Sequence, residues 1–218
     1  MEILLTIGNA VLVLLAVASV ALPLVSERRN YKFAWSVWRR FRIKMFFEAF
    51  GVILLTIATA VALLQVPGLK YGWLNLFFVG GGNMLIKPIM EISGSTSISI
   101  RLMVPAFFLA LAFIFPFSAR YEERSFRKGY DEWAPIIKQS IKFGLAHCLV
   151  GVPLAVGIAL IIPGFFYGYK YKRAFDRNVE TMGYSRAEDE AVVISTTYHT
   201  MYNMIVVTFL LVIALAKV

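Results

Sequence analysis

Long stretches without a charged residue constrain this chain more than any other feature. A helix needs about 20 apolar residues to cross a bilayer, and only helices or closed barrels satisfy their backbone groups in lipid. The charge-free windows therefore predict an all-α fold, a polytopic membrane helix bundle with about six to seven transmembrane or membrane-embedded helices. These windows cover residues 3–26, 49–69, 71–86, 102–119, 143–169 and 191–216.

The composition excludes a large soluble domain. Hydrophobic residues make up 59% of the 218 residues and the mean hydropathy is +0.72, well above the balance of a soluble protein. We expect a single membrane domain, in which residues 1–97 supply N-terminal transmembrane helices and residues 98–218 form the core that carries the polar motifs. The single cysteine, Cys148, excludes an internal disulfide and a cysteine-based metal cluster.

A basic loop sets the expected orientation. Residues 26–44 hold seven cations against one acid, Glu27, which predicts a cytoplasmic loop in contact with lipid headgroups. Trp35, Trp38 and Phe41 suit an interfacial amphipathic helix. We expect an integral protein of a prokaryotic plasma membrane with its N-terminus outside, with membrane lipid as a partner and no nucleic acid.

Helix-breaking residues and charged stretches divide the rest of the chain into predicted helices. A break at Gly151–Pro153 would place the two cation-rich stretches, 119–142 and 170–190, on the same side of the membrane, as the positive-inside rule favours. The predicted order is a first span over 3–25, a second over 45–66, a short or re-entrant segment over 71–90, a helix over 98–118, a histidine helix from about Pro135, a charged connector over 170–190 and a last helix over 188–216.

The first polar motif is a pair of adjacent glutamates, Glu122 and Glu123. On a helix, Glu123 and Arg127 are four residues apart, in the favourable order for an ion pair. Glu122 points about 100° away around the helix axis, in line with Phe126. One carboxylate is thus expected to be held by the arginine while its neighbour stays available. The alternative is an ordinary solvated charged loop.

Both histidines of the chain lie in apolar stretches with a partner four residues away. Phe143 precedes His147 and Asn203 follows His199 by that spacing, so each pair shares one helical face. Ionisable groups in a membrane helix are costly and indicate function by default. The alternative is hydrogen bonding between helices.

This set of carboxylate, imidazole and amide side chains suits hydrolysis. A glutamate assisted by an imidazole can activate water, and a second imidazole with an amide can stabilise an oxyanion. Two histidines and a carboxylate can also bind zinc, but no H-E-x-x-H run is present, so metal is the second choice. Cys148 does not share a face with His147, which predicts a structural thiol.

The three motifs, in this order, resemble those of the CPBP intramembrane proteases, the CAAX-processing and bacteriocin-processing (ABI) group that includes the type II CAAX prenyl endopeptidase. Glu122-Glu123-x-x-x-Arg127 resembles E-E-x-x-x-R, Phe143-x-x-x-His147 resembles F-x-x-x-H, and His199-x-x-x-Asn203 resembles H-x-x-x-N. The resemblance covers about residues 98–216.

The resemblance implies a glutamate-dependent endopeptidase without a metal or other cofactor. It implies that Glu122 and His147 activate the water, that Glu123 and Arg127 position and neutralise, and that His199 and Asn203 form the oxyanion hole. The expected substrate is a membrane-associated or lipidated peptide or protein. The alternatives are a non-catalytic scaffold or bacteriocin self-immunity protein, a zinc-dependent membrane protease, and a small transporter with a proton relay.

Overall fold

The computed structural model describes residues 31–72 and 98–216, together with a few positions between 18 and 26. All regular structure in these residues is helical, which confirms the all-α prediction. Most of the predicted first span and of segment 71–90 lies outside the described residues. The helices are α1 (Tyr31–Arg39), α2 (Ile43–Leu64), α3 (Ile98–Phe126), α4 (Trp133–Ala146), a 3₁₀ turn (His147–Val150), α5 (Leu154–Ala159), α6 (Ile161–Met182) and α7 (Tyr184–Ala216).

Three helical stretches among the described residues are long and apolar enough to cross a membrane. They are Ile43–Leu64, Leu154–Met182 and Tyr184–Ile213. The first is α2, the second joins α5 and α6, and the third is most of α7. Their length and hydropathy indicate a membrane protein, as the charge-free windows predicted.

The predicted break after the first histidine occurs where expected. Gly151 has a left-handed φ of 88°, which glycine adopts without steric cost. Helix α4 then packs antiparallel against α5 and α6, because Ile136 lies beside Gly168 while Gly144 lies beside Gly157. This hairpin brings residues 131–136 and 168–175 to the same end of the bundle, as the charge distribution predicted.

Helix α7 lies at the centre of the bundle and contacts α1, α2, α3 and α6. Phe50 of α2 stacks on Phe209, and Phe108 of α3 packs against the same end of α7. The main apolar core lies between α2, α4, α6 and α7, and its buried members are Met45, Ala49, Ile53, Phe143, Tyr167, Met201, Tyr202 and Ile205.

The charged stretches correct two predicted boundaries. The expected connector over 170–190 is helical, and Gly183, with φ of 75°, separates α6 from α7. It stays helical because Tyr171 and Phe175 pack against Ala187 and Ala191, which leaves the charges on the outer faces. In the same way, the helix expected over 98–118 continues to Phe126 and carries the glutamate pair on its last two turns.

The basic loop contains the predicted helix, α1. Ala34 and Val37 are buried against the protein, while Tyr31 and Trp35 are exposed. Arg40, just after the helix, forms a two-pronged ion pair with Glu190 at the start of α7. The loop is therefore attached to the same end of the bundle as the charged ends of α6 and α7.

Candidate functional site

Glu123 and Arg127 form a buried ion pair in the candidate site. Both side chains are fully buried, and Arg127 Nε lies 3.7 Å from Glu123 Oε2, so the predicted i,i+4 ion pair occurs. Arg127 also donates Nη2–H to the carbonyl oxygen of Gly164 on α6 at 2.7 Å. The pair therefore links α3 to α6, and each charge has the other as compensation in a setting where an unpaired ion is costly.

His199 connects this pair to the central helix. Its Nδ1 lies 3.0 Å from Glu123 Oε1, and because a carboxylate only accepts, Nδ1 carries the hydrogen. Its Nε2 lies 3.8 Å from Glu122 Oε2, and the imidazole is 4% exposed. The two neighbouring carboxylates of α3 thus face the two nitrogens of one histidine.

The two glutamates have different surroundings, as the sequence predicted. Glu123 is fully buried between Arg127 and His199, whereas the Glu122 side chain is 32% exposed. Within the described part of the chain, Glu122 Oε2 has no hydrogen-bond partner. This oxygen is itself buried, and the 3.8 Å gap between it and His199 Nε2 is too long for a direct hydrogen bond.

His147 occupies a different setting, on the first residue of the 3₁₀ turn. Its Nδ1–H donates to the carbonyl oxygen of Phe143 at 2.8 Å, which leaves Nε2 as a hydrogen-bond acceptor. The Phe143 ring contacts both imidazoles, with centroid distances of 4.8 Å to His147 and 5.6 Å to His199. Among the described residues, no hydrogen bond or ion pair joins His147 to Glu122.

Asn203 lies on α7 one turn beyond His199 and is half-buried. The i,i+4 spacing gives it the same helical face as His199. The structure thus joins Glu122, Glu123, Arg127 and His199 through polar contacts, and Phe143 connects His147 to them through its ring. The catalytic roles of these residues stay predictions.

One residue of the cluster was missed by the sequence reasoning. The Tyr167 ring stacks on His199 with a centroid distance of 4.4 Å and an interplanar angle of 14°. It lies in the aromatic run Phe165-Phe166-Tyr167-Gly168-Tyr169, which is typical of a packed membrane helix. Nothing in that run distinguishes Tyr167 from its neighbours, so only the packing of α6 on α7 identifies it.

Cys148 follows His147 on the 3₁₀ turn. The thiol is half-buried beside Gly157, and burial raises its pKa above the ordinary value. A raised pKa reduces the thiolate fraction, which is the nucleophilic form. The structural role of this thiol stays a prediction.

Arg127 supplies positive charge beside the Glu123 carboxylate. Arg127 lies against Glu123 Oε2, so a metal ion bound to this carboxylate would have to sit beside a guanidinium. Among the described residues no group of three or more histidine, cysteine, aspartate or glutamate side chains is placed to hold a metal ion.

The fold and the cluster define the class of protein, a helical membrane protein with a buried glutamate–histidine–arginine network. Comparison of the chain with protein-family models, curated proteins and solved structures gives no significant match. A functional assignment therefore depends on the chemistry of the cluster and on the motif resemblance.

Proposed function

We propose that this protein is an intramembrane endopeptidase that hydrolyses a peptide bond of a membrane-associated or lipidated protein or peptide. The observation that supports this most is the pair of adjacent carboxylates in unlike surroundings, one on each nitrogen of His199. Glu123 is paired with Arg127 and His199, whereas the Glu122 side chain is partly exposed and its Oε2 has no hydrogen-bond partner among the described residues.

Glu122 is the proposed general base. A water bound to its partly exposed carboxylate would transfer a proton to that carboxylate as the water oxygen attacks the carbonyl carbon of the substrate. The protonated Glu122 then gives that proton to the leaving amine as the C–N bond breaks. His147 assists as a hydrogen-bond acceptor, because its Nδ1–H is occupied by the Phe143 carbonyl and its Nε2 lone pair remains.

His199 and Asn203 are the proposed donors to the oxyanion. The attacking water and the carbonyl oxygen are bound to the same carbon, so the base and the oxyanion donor must lie within a few ångströms of each other. The 3.8 Å distance between Glu122 Oε2 and His199 Nε2 meets this requirement. A doubly protonated His199 would donate Nδ1–H to Glu123 and Nε2–H to the developing charge.

The membrane setting follows from the helices. We infer an integral protein of a prokaryotic plasma membrane with about six to seven transmembrane or membrane-embedded helices and an outward N-terminus. Three apolar helices support the membrane location. The charged ends of α3, α4, α6 and α7 lie together with the basic loop at one end of the bundle, which supports a single cytoplasmic face there.

The test is cleavage of fluorogenic peptides anchored by an acyl or prenyl chain in proteoliposomes that contain the purified protein. Glu122→Gln, His147→Ala and His199→Ala should each reduce cleavage by about 10²–10⁴-fold, the range for loss of acid–base catalysis. Glu190→Gln is the matched control, because it removes a carboxylate that pairs with Arg40 away from the cluster.

Three outcomes would redirect the assignment. Cleavage retained in Glu122→Gln would exclude the glutamate-base mechanism. Cleavage that is lost to a chelator and restored by zinc would indicate a zinc-dependent membrane protease. If neither the native protein nor any variant cleaves a broad peptide set, while the native protein protects cells against a bacteriocin, the self-immunity alternative is the better assignment.

A further inference from the structure

We propose that Tyr167 is a positioning residue that holds the His199 ring in the one orientation in which both of its nitrogens face carboxylates. Tyr167 is 1% exposed and its ring lies nearly parallel to the imidazole, with centroids 4.4 Å apart. No sequence motif of the chain includes it. The consequence for catalysis rests on the proposed function, but the consequence for His199 does not.

The geometry explains why the ring orientation needs support. Rotation about the Cβ–Cγ bond of His199 would move Nδ1 away from Glu123 and Nε2 away from Glu122. Terminal torsions of this kind are broad and are poorly restrained by the backbone. A flat ring stacked on one face of the imidazole opposes that rotation because the rotated imidazole would collide with it.

Tyr167 is itself held in place by other aromatic rings. Phe143 and Tyr202 contact it edge-on, with centroid distances of 5.9 Å and 6.0 Å. Phe143 also meets the His199 ring nearly perpendicularly. These rings leave the stacking face of Tyr167 turned towards the imidazole. Aromatic pairs of these kinds are stabilised by their geometry beyond the area they bury.

The experiment uses ¹⁵N-histidine labelling, since the chain has two histidines and His147→Gln leaves a single labelled ring. In detergent micelles, the ring nitrogens of His199 should show a hydrogen-bonded Nδ1 proton. Tyr167→Phe should preserve this signature, and Tyr167→Leu should remove it. Tyr169→Leu is the matched control, because Tyr169 stacks on Trp133.

An unchanged His199 signature in Tyr167→Leu would overturn the proposal, and loss of the signature in Tyr167→Phe would assign the effect to the hydroxyl group instead of the ring. Tyr167→Met serves as a second ring-free variant if the leucine variant does not fold. The NMR result is independent of cleavage. If the native protein cleaves nothing, the proposed function fails while the Tyr167 inference stands.

Discussion

The two histidine regions begin from the same kind of pattern and end in opposite environments. Each histidine has a partner four residues away in an apolar stretch. His199 lies within a continuous helix, nearly fully buried, with a carboxylate at each nitrogen. His147 is half-buried on a 3₁₀ turn, and its Nδ1–H donates to the carbonyl of Phe143 in the preceding helix, α4.

The difference shows that the neighbours of an imidazole decide what it can do. The Phe143 carbonyl leaves His147 with a lone pair on Nε2, so it can accept a proton or a hydrogen bond. The carboxylates leave His199 as a donor when it carries both protons. An acceptor and a donor on either side of Phe143 match the two kinds of group that hydrolysis requires.

The largest loss of stability should come from removing the cation of the buried ion pair beside His199. Arg127→Met would leave Glu123 fully buried without its cation, and such a loss costs about 3–5 kcal/mol of stability. Unfolding by SDS in mixed micelles, followed by circular dichroism, measures the change. Arg40→Met is the control, since its ion pair with Glu190 is partly exposed and should cost less than about 1 kcal/mol.

The double variant Glu123→Gln, Arg127→Met sharpens this test. It removes both charges, so most of the lost stability should return if the uncompensated carboxylate is the cause. The ¹⁵N signals of His199 should move in the single variant, while those of His147 should stay nearly unchanged. Equal movement of both would show that the two regions are coupled more tightly than their contacts indicate.

A smaller effect is expected from breaking the packing beside His147. In Gly144→Ala, the added Cβ would lie 2.6 Å from the backbone oxygen of Gly157, so α4 and α5 must separate, at a cost of about 1–3 kcal/mol. Gly51→Ala is the matched control, because nothing lies within 4 Å of its added Cβ. It should stabilise α2 by about 0.5–1 kcal/mol. The same SDS titration measures both, and an unperturbed Gly144→Ala would contradict the close helix contact.

The smallest effect concerns the reactivity of Cys148 next to His147. Burial raises the pKa of this thiol, so at a given pH it holds less thiolate than an exposed cysteine and should react severalfold more slowly with iodoacetamide. The rate should increase with pH and should reach that of an ordinary thiol in SDS. Mass spectrometry of the single labelled site gives the rate. Rapid labelling of the folded protein at neutral pH would show that the turn is open.

The local parts of this structure were predictable because local periodicity determines them. Charge-free windows predicted the helices, and the i,i+4 spacing predicted the Glu123–Arg127 pair. The break at Gly151 followed from glycine and proline chemistry. The predicted ends of the charged helices were wrong, because a charged stretch does not by itself end a helix. The ends of α3, α6 and α7 are amphipathic and stay helical because one face packs against the protein.

The long-range contacts were not predictable from spacing. Glu123 and His199 are 76 residues apart in the chain, and no periodicity relates them. Arg127 reaches the Gly164 carbonyl across 37 residues, and Tyr167 resembled every other aromatic residue of α6. The motif resemblance placed the polar residues in one site and paired Glu122 with His147, whereas in the structure it is His199 whose Nε2 lies 3.8 Å from the Glu122 carboxylate.

The sequence by itself thus determined an all-helical, membrane-embedded chain with two histidines and a glutamate pair on defined helical faces, because the energetics of backbone and apolar side chains in lipid act over one or two turns. The tertiary structure alone decided that one imidazole lies between both carboxylates and the other lies across Phe143. That choice depends on which helices pack together, through glycine contacts and aromatic rings that no single stretch of sequence contains.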